Sequence, residues 1–258
     1  MKRKPALERL LLEADKAELG GDWTLSVKLL EQALTAEPTE PLLLRLGDLE
    51  CKKGRFRQAI KRFDAAILEN PNRALSYILK AQCLITLKNY EEAQKTLRRS
   101  LAIEKRPDAF VQIGSVYEKL GDSKSAARSY QAALNVDPQY EEAHYNRGRL
   151  LRRSNPQKAL LHLHAAISID PKYALAYSEL GGLLLQLKRY KEAEGVLREA
   201  ISLDSYSFWN HLYLANLLWK LGRLEEAKDE YRMAERLDRS SFSARCFAKF
   251  LKSIKSSQ

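Results

Sequence analysis

Small and large apolar positions recur along the chain with a period of 33 or 34 residues. Segments placed by that period start near Leu7, Glu40, Ala74, Pro107, Glu141, Ala174 and Phe208. The eighth position of each is small: Ala14, Gly47, Ala81, Gly114, Gly148, Gly181 and Ala215. Twelve residues on lie Ser26, Ala59, Ala93, Ala126, Ala159, Ala193 and Ala227, with one residue missing from the fifth segment's turn. Seven residues further come Ala33, Ala66, Ser100, Ala133, Ala166, Ala200 and Ala234. Two helices approach to about 8–10 Å only where small side chains occupy the crossing. The larger residues between, such as Phe63, Tyr77, Phe110, Tyr130, Leu163, Leu197 and Tyr231, fill the layers. The pattern therefore predicts seven helix pairs. Turns such as Leu120-Gly121-Asp122 and Leu221-Gly222-Arg223 divide each pair. Pro38, Pro71, Pro138 and Pro171 end second helices, because proline cannot continue the hydrogen-bond ladder.

In these residues the chain resembles the tetratricopeptide repeat (TPR) family. The fullest match runs Ala109-Phe110, Ile113-Gly114, Tyr117 and Gly121, then Ala126, Tyr130, Ala133 and Pro138. Residues 174 to 204 match through Tyr177, Leu180, Gly181, Tyr190, Ala193 and Ala200. Departures are Glu50 at a large apolar slot, Lys105 and Ser205 at the proline slot, and the shortened turn at Ser154-Asn155-Pro156. The resemblance implies an all-α fold, a right-handed α-solenoid (superhelix) of helix-turn-helix units with nearest-neighbour contacts. The expected organisation is a basic extension over 1–6, seven repeats over 7–240, and a capping helix with a short tail over 241–258. Ala244, Phe247, Leu251 and Ile254 give that last helix one apolar stripe, with lysines at 249, 252 and 255 facing away.

Composition narrows the function classes. The 11 Gly and 8 Pro leave little material for hairpins or βα crossovers. Cys51, Cys83 and Cys246 are too few and too scattered for a disulfide framework, which suits a reducing compartment. No run of about 18 apolar residues is present to span a bilayer. Glu8 and Arg9 interrupt the apolar stretch behind the basic start, so no signal peptide is recognised and a cytoplasmic location is expected. His162 and His164 lie two apart on a helix and cannot chelate one metal as a pair, while His144 and His211 occupy a packing slot. No phosphate-binding glycine loop occurs, and Gly181-Gly182 falls within a helix. The sequence predicts no enzyme, no catalytic residue, no cofactor and no metal.

Function in such a fold is expected on the concave face lined by first helices. Positions 2, 6, 9 and 13 form one stripe opposite the packing face. In the third and fourth repeats that face offers Gln82, Gln112, Ser115 and Lys119. In the fifth, Tyr145, Asn146, Arg149, Arg152 and Arg153 crowd one helix, with Arg147 close by. Like charges three and four apart repel. An acidic ligand explains the cluster, since Arg offers paired donors to carboxylates; a merely solvated basic face is the competing account. The resemblance gives Asn146 the slot from which peptide-binding members hold a ligand backbone. It does not support a carboxylate clamp, because Val111, Ser115, Leu175 and Glu179 occupy the slots that would need Lys, Asn or Arg. The seventh repeat adds Trp209, Tyr213, Asn216 and Lys220. Between the patches, Gly182 leaves an open spot at a cost of up to about 1 kcal/mol relative to Ala; a ligand backbone passing close is one explanation and loose sequence choice is another. The expectation is a non-enzymatic scaffold that binds an acidic peptide segment of another protein. The net charge of +11 and pI near 9.5 motivate an alternative, nucleic-acid binding. Against it, acids interleave with the bases and no base-stacking module is present. Self-assembly through exposed end faces is a further alternative.

Overall fold

A computed structural model describes residues 3–238, with side chains from residue 6; the expected capping helix at 242–255 and Cys246 lie outside them. Fourteen helices and no strand occur among the described residues. Contacts divide the chain into two compact halves, Met1–Val136 and Asp137–Gln258. The N-terminal half holds α1 (Arg3–Leu19), α2 (Trp23–Ala36), α3 (Glu40–Lys52), α4 (Phe56–Glu69), α5 (Ala74–Thr86), α6 (Tyr90–Ile103), α7 (Pro107–Lys119) and α8 (Ser123–Val136). The C-terminal half holds α9 (Glu141–Leu151), α10 (Pro156–Ile169), α11 (Ala174–Gln186), α12 (Tyr190–Leu203), α13 (Phe208–Lys220) and α14 (Leu224–Leu237). Within each half, a helix packs on its pair mate, and each second helix packs on the first helix of the next repeat. This is an α-solenoid of helix pairs.

The small residues act as the period requires. Ala59, Ala66, Ala93, Ala126, Ala133, Ala159, Ala166, Ala193, Ala200 and Ala227 are fully buried. At the eighth positions glycine is needed for close approach. A Cβ on Gly47 would enter the Phe63 ring, one on Gly114 the Tyr130 ring, one on Gly181 Leu197, and one on Gly148 would lie 2.7 Å from Leu163 Cγ. Each glycine thus admits the large side chain of its own second helix.

Turn chemistry follows the same register. Asp22, Asn89 and Asn155 accept from the backbone N–H three residues on, at 3.0, 3.4 and 3.1 Å, and so cap α2, α6 and α10. Asp122 Oδ1 accepts from Ser125 N in the same way, at 3.0 Å. The residue before the cap has positive φ at Gly21, Gly54, Gly121 and Gly222, and also at Lys88 and Lys188, both at 61°. The fifth repeat lacks this left-handed residue. Its missing residue shortens α9 to 11 residues, and Pro156 opens α10 directly after the Asn155 cap.

A polar ring at the fourth position ties repeats together. Tyr77 Oη donates to Pro71 O at 3.0 Å, while His144 Nε2 meets Pro138 O at 3.0 Å and His211 Nε2 meets Ser205 O at 3.1 Å. Each secures the carbonyl six residues back, where the preceding turn leaves a backbone acceptor open. The histidines are thereby accounted for structurally. His211 Nδ1 also lies 2.6 Å from Glu230 Oε2, a hydrogen bond that raises its pKa. His144 Nδ1 lies 3.0 Å from His162 Nδ1. Burial, then the Arg147 charge, lowers His162 to a pKa of about 4. Cys51 is half-buried with Sγ 3.0 Å from that of buried Cys83. Hydrogen bonding to Cys83 lowers the Cys51 pKa, and the same contact raises that of Cys83. Glu50, in its apolar slot, is buried with Oε2 3.6 Å from Arg55 Nη1.

Candidate binding faces

The first helices position the candidate residues, and each half is taken separately. In the N-terminal half, Gln82 and Lys119 are exposed on α5 and α7, and Gln112 and Ser115 are half-buried on α7. The buried Gln112 Oε1 has no hydrogen-bond partner there.

The C-terminal half brings several residues into one network. Asn146 is buried on α9; its Nδ2 donates to Glu142 O at 2.9 Å and its Oδ1 accepts from Arg149 Nη2 at 3.3 Å. The amide expected to hold a ligand backbone is bound within its own helix. Arg152 extends to α11, where Nη1 pairs with Glu179 Oε2 at 3.2 Å and Nε donates to Gln186 Oε1 at 3.3 Å. Its guanidinium carbon also sits 5.9 Å from the Tyr213 ring centre, within cation–π range. Glu179, noted in sequence only as the wrong residue for a carboxylate clamp, thus compensates part of the arginine cluster. Arg153 is exposed. Tyr145 stacks against Tyr173 with ring centres 5.3 Å apart, and burial raises the Tyr173 pKa, so that phenol stays protonated.

Gly182 corrects the sequence reading. It is buried, and a Cβ there would lie 3.0 Å from Tyr213 Cε2 and 3.2 Å from Arg152 Nη2. The space is filled by the chain's own aromatic and cationic side chains and is not open to a ligand backbone. Trp209 remains 49% exposed, its ring centre 5.9 Å from Tyr213 and 5.1 Å from Phe208. Asn216 donates to Leu212 O at 2.9 Å and accepts from Tyr231 Oη at 2.5 Å. Lys220 is exposed at the end of α13. Arg152, Tyr213, Trp209 and Gly182 therefore form one contiguous patch. Tyr173, Glu179, Gln186 and Phe208 belong to its surroundings. The pairing of Tyr145 with Tyr173 and of Arg152 with Glu179 and Gln186 crosses repeats and is invisible to a reading of one helix at a time, whereas Phe208 adjoins Trp209 on α13 itself.

Among the described residues no group of three or more His, Cys, Asp or Glu side chains could hold a metal ion. No described helix is long and apolar enough to cross a membrane.

Tetratricopeptide repeat models match residues 52–110 and 150–205, 114–154 and 212–241. The chain belongs to the tetratricopeptide repeat family. This TPR chain is 29% identical over 128 residues to human tetratricopeptide repeat protein 33, covering 47% of this chain and 48% of the relative. It is 26% identical over 98 residues to human tetratricopeptide repeat protein 6, covering 38% and 19%. It is also 29% identical over 98 residues to the Hsp70-Hsp90 organizing protein of Triticum aestivum, covering 37% and 16%. The matches thus span less than half the length of each of these relatives. A tetratricopeptide repeat protein from Parabacteroides merdae superposes with a TM-score of 0.69 at 16% identity, covering 96% of this chain and 99% of that one. The Cut9-Hcn1 hetero-tetramer of the APC/C gives 0.75 at 14% identity, covering 96% and 53%. At such identities the likeness is one of fold. TPR proteins mediate protein–protein interactions, and the matching families are interaction repeats.

Proposed function

We propose that this TPR protein is a non-enzymatic scaffold that binds an acidic peptide segment of a partner on the face lined by its first helices. The observation carrying this reading is the patch of the C-terminal half. There, half-exposed Trp209 lies against Tyr213, whose ring is covered by Arg152, with exposed Arg153 in the turn that follows α9 and not on the helix of Arg149 as its spacing suggests. An exposed aromatic beside guanidinium groups suits a segment with one apolar anchor and flanking carboxylates. Arg152 is engaged by Glu179 and Arg149 by Asn146, so a ligand carboxylate meets exposed Arg153 first, with the other two guanidinium groups adding to the positive field. In the N-terminal half, Gln82, Gln112, Ser115 and Lys119 offer polar contacts to a peptide backbone.

Selection from a displayed peptide library tests the reading. Wild type enriches acidic segments, and the Arg149→Glu/Arg153→Glu variant loses that enrichment while helicity and melting temperature stay nearly unchanged. Enrichment without acidic character, or unaltered enrichment in the double variant, overturns it.

A further inference from the structure

The excess positive charge of the described chain is not in the fifth-repeat arginine cluster. Residues 137–238 carry 15 Lys+Arg and 15 Asp+Glu, whereas residues 3–136 carry 23 against 18, the excess lying in 52–136 with 17 against 8. Within the N-terminal half, one position of the second helix is basic in every repeat. It is the twenty-second, occupied by Lys28 on α2, Lys61 on α4, Lys95 on α6 and Arg128 on α8. All four are exposed. The same position in the C-terminal half holds Leu161, Gly195 and Asp229.

These four charges are only weakly compensated by their neighbours. Arg62 binds Glu31 at 2.5 Å, Lys80 binds Asp64 at 2.8 Å, and Asp122 caps α8. The nearest carboxylate to the row is Glu92, 3.9 Å from Lys95, and Arg128 reaches only Ser125 Oγ at 3.0 Å. Exposed Arg98 and Arg99 on α6 and Lys124 on α8 add to the same helices. One exposed cation per repeat, with Glu31, Asp64 and Asp122 tied up in pairs and a cap, gives this face a field that attracts an acidic surface.

The row meets an apolar cleft. Between α2 and α4 lies a cavity of about 690 Å³ whose apolar wall is Leu34, Pro38, Leu43, Ala65 and Leu68, the last 83% exposed, and whose polar rim is Thr35, Glu69 and the Arg62–Glu31 pair. An adjoining cavity of about 410 Å³ shares Leu43 and Ala65 and includes Lys61. Apolar space opening beside a basic row calls for a ligand with both characters. No aromatic ring lines either cavity, so bases would find no stacking platform. Phosphodiester groups would leave the apolar space unfilled.

We infer that the second-helix face of the N-terminal half is a separate docking surface for an acidic amphipathic polypeptide segment. Its carboxylates lie along Lys28, Lys61, Lys95 and Arg128, and an apolar side chain enters the cleft between α2 and α4. This surface is distinct from the first-helix face proposed above and does not depend on it.

The test uses the full chain and three labelled probes in fluorescence anisotropy. They are a glutamate peptide with leucine at every fourth position, the same peptide with serine for leucine, and an oligothymidylate of equal charge. The leucine peptide binds best. Lys61→Glu/Lys95→Glu/Arg128→Glu weakens it by at least about tenfold, as loss of several complementary charges does. Leu68→Glu removes the advantage of the leucine peptide over the serine peptide. In an Arg149→Glu/Arg153→Glu background, where the first-helix face is disabled, the leucine peptide still binds and the triple substitution still weakens it, which separates this surface from the other. The corresponding Gln triple variant, checked by circular dichroism, guards against misfolding from charge reversal. Equal binding of wild type and both triple variants, or no binding of the leucine peptide to wild type, overturns the inference. So does tighter binding of the oligothymidylate that is lost in the same variants.

Discussion

In the C-terminal half, Arg152 is held by Glu179, Arg189 by Glu192, and Arg223 by both Glu194 and Glu226. These pairs lower the pKa values of Glu192, Glu194 and Glu226 through direct hydrogen bonds. In the N-terminal half, the row from Lys28 to Arg128 points to solvent while nearby Glu31 and Asp64 are engaged by Arg62 and Lys80. Both halves use the same helix pairs and the same small-residue crossings. A cluster of arginines in sequence is therefore weak grounds for a binding site until its carboxylate partners are known. An evenly spaced row of single lysines, each unremarkable alone, can hold more unspent charge.

The largest effects test the claim that both halves share one packing scheme. Phe63→Ala and Leu197→Ala empty equivalent spaces facing Gly47 and Gly181. Each is expected to cost about 2–5 kcal/mol, read from urea titrations. A loss confined to one half would break the equivalence.

A smaller effect sharpens the contrast, because all four histidines lie in the C-terminal half. The folded-state pKa of His162, about 4, lies below its ordinary 6.5, so the unfolded chain binds the extra proton first. Its contribution to stability is fully present above about pH 6.5 and is lost as pH falls towards 4. His211, raised chiefly by Glu230, has the opposite sign: its contribution is present in acid and lost as pH rises through its folded value. His162→Gln should flatten the fall in melting temperature between pH 6.5 and 4, while His211→Gln should leave that window nearly unchanged and remove the loss that sets in as pH rises above 6.5. An unchanged profile in His162→Gln would refute the assignment.

The smallest effect concerns the charges themselves. Glu179→Ala strips a partly buried partner from Arg152 and should cost about 1 kcal/mol. Lys61→Ala removes a solvent-exposed charge, near carboxylates already engaged by Arg62 and Arg55, and should stay within about 0.5 kcal/mol of wild type. Thermal melts compare the two directly; equal costs would erase the distinction between spent and unspent charge.

The helix pairs were legible in the residues because crossing distance and side-chain size are coupled: Gly47, Gly114, Gly148 and Gly181 stand where large side chains need room. The one-residue deletion at Ser154 to Pro156 was legible too, and its consequence is the absent left-handed turn residue. The candidate faces were legible only as positions on single helices. Whether Asn146 is available, whether Gly182 is open and whether Arg152 is compensated depended on Glu142 O, Tyr213 and Glu179. The last two come from neighbouring repeats, whose arrangement one helix does not encode. Periodicity is a local property written into every turn, so the amino-acid order specifies the fold. Electrostatic compensation and cleft formation are properties of side chains meeting across repeats, and only their packing in three dimensions settled them.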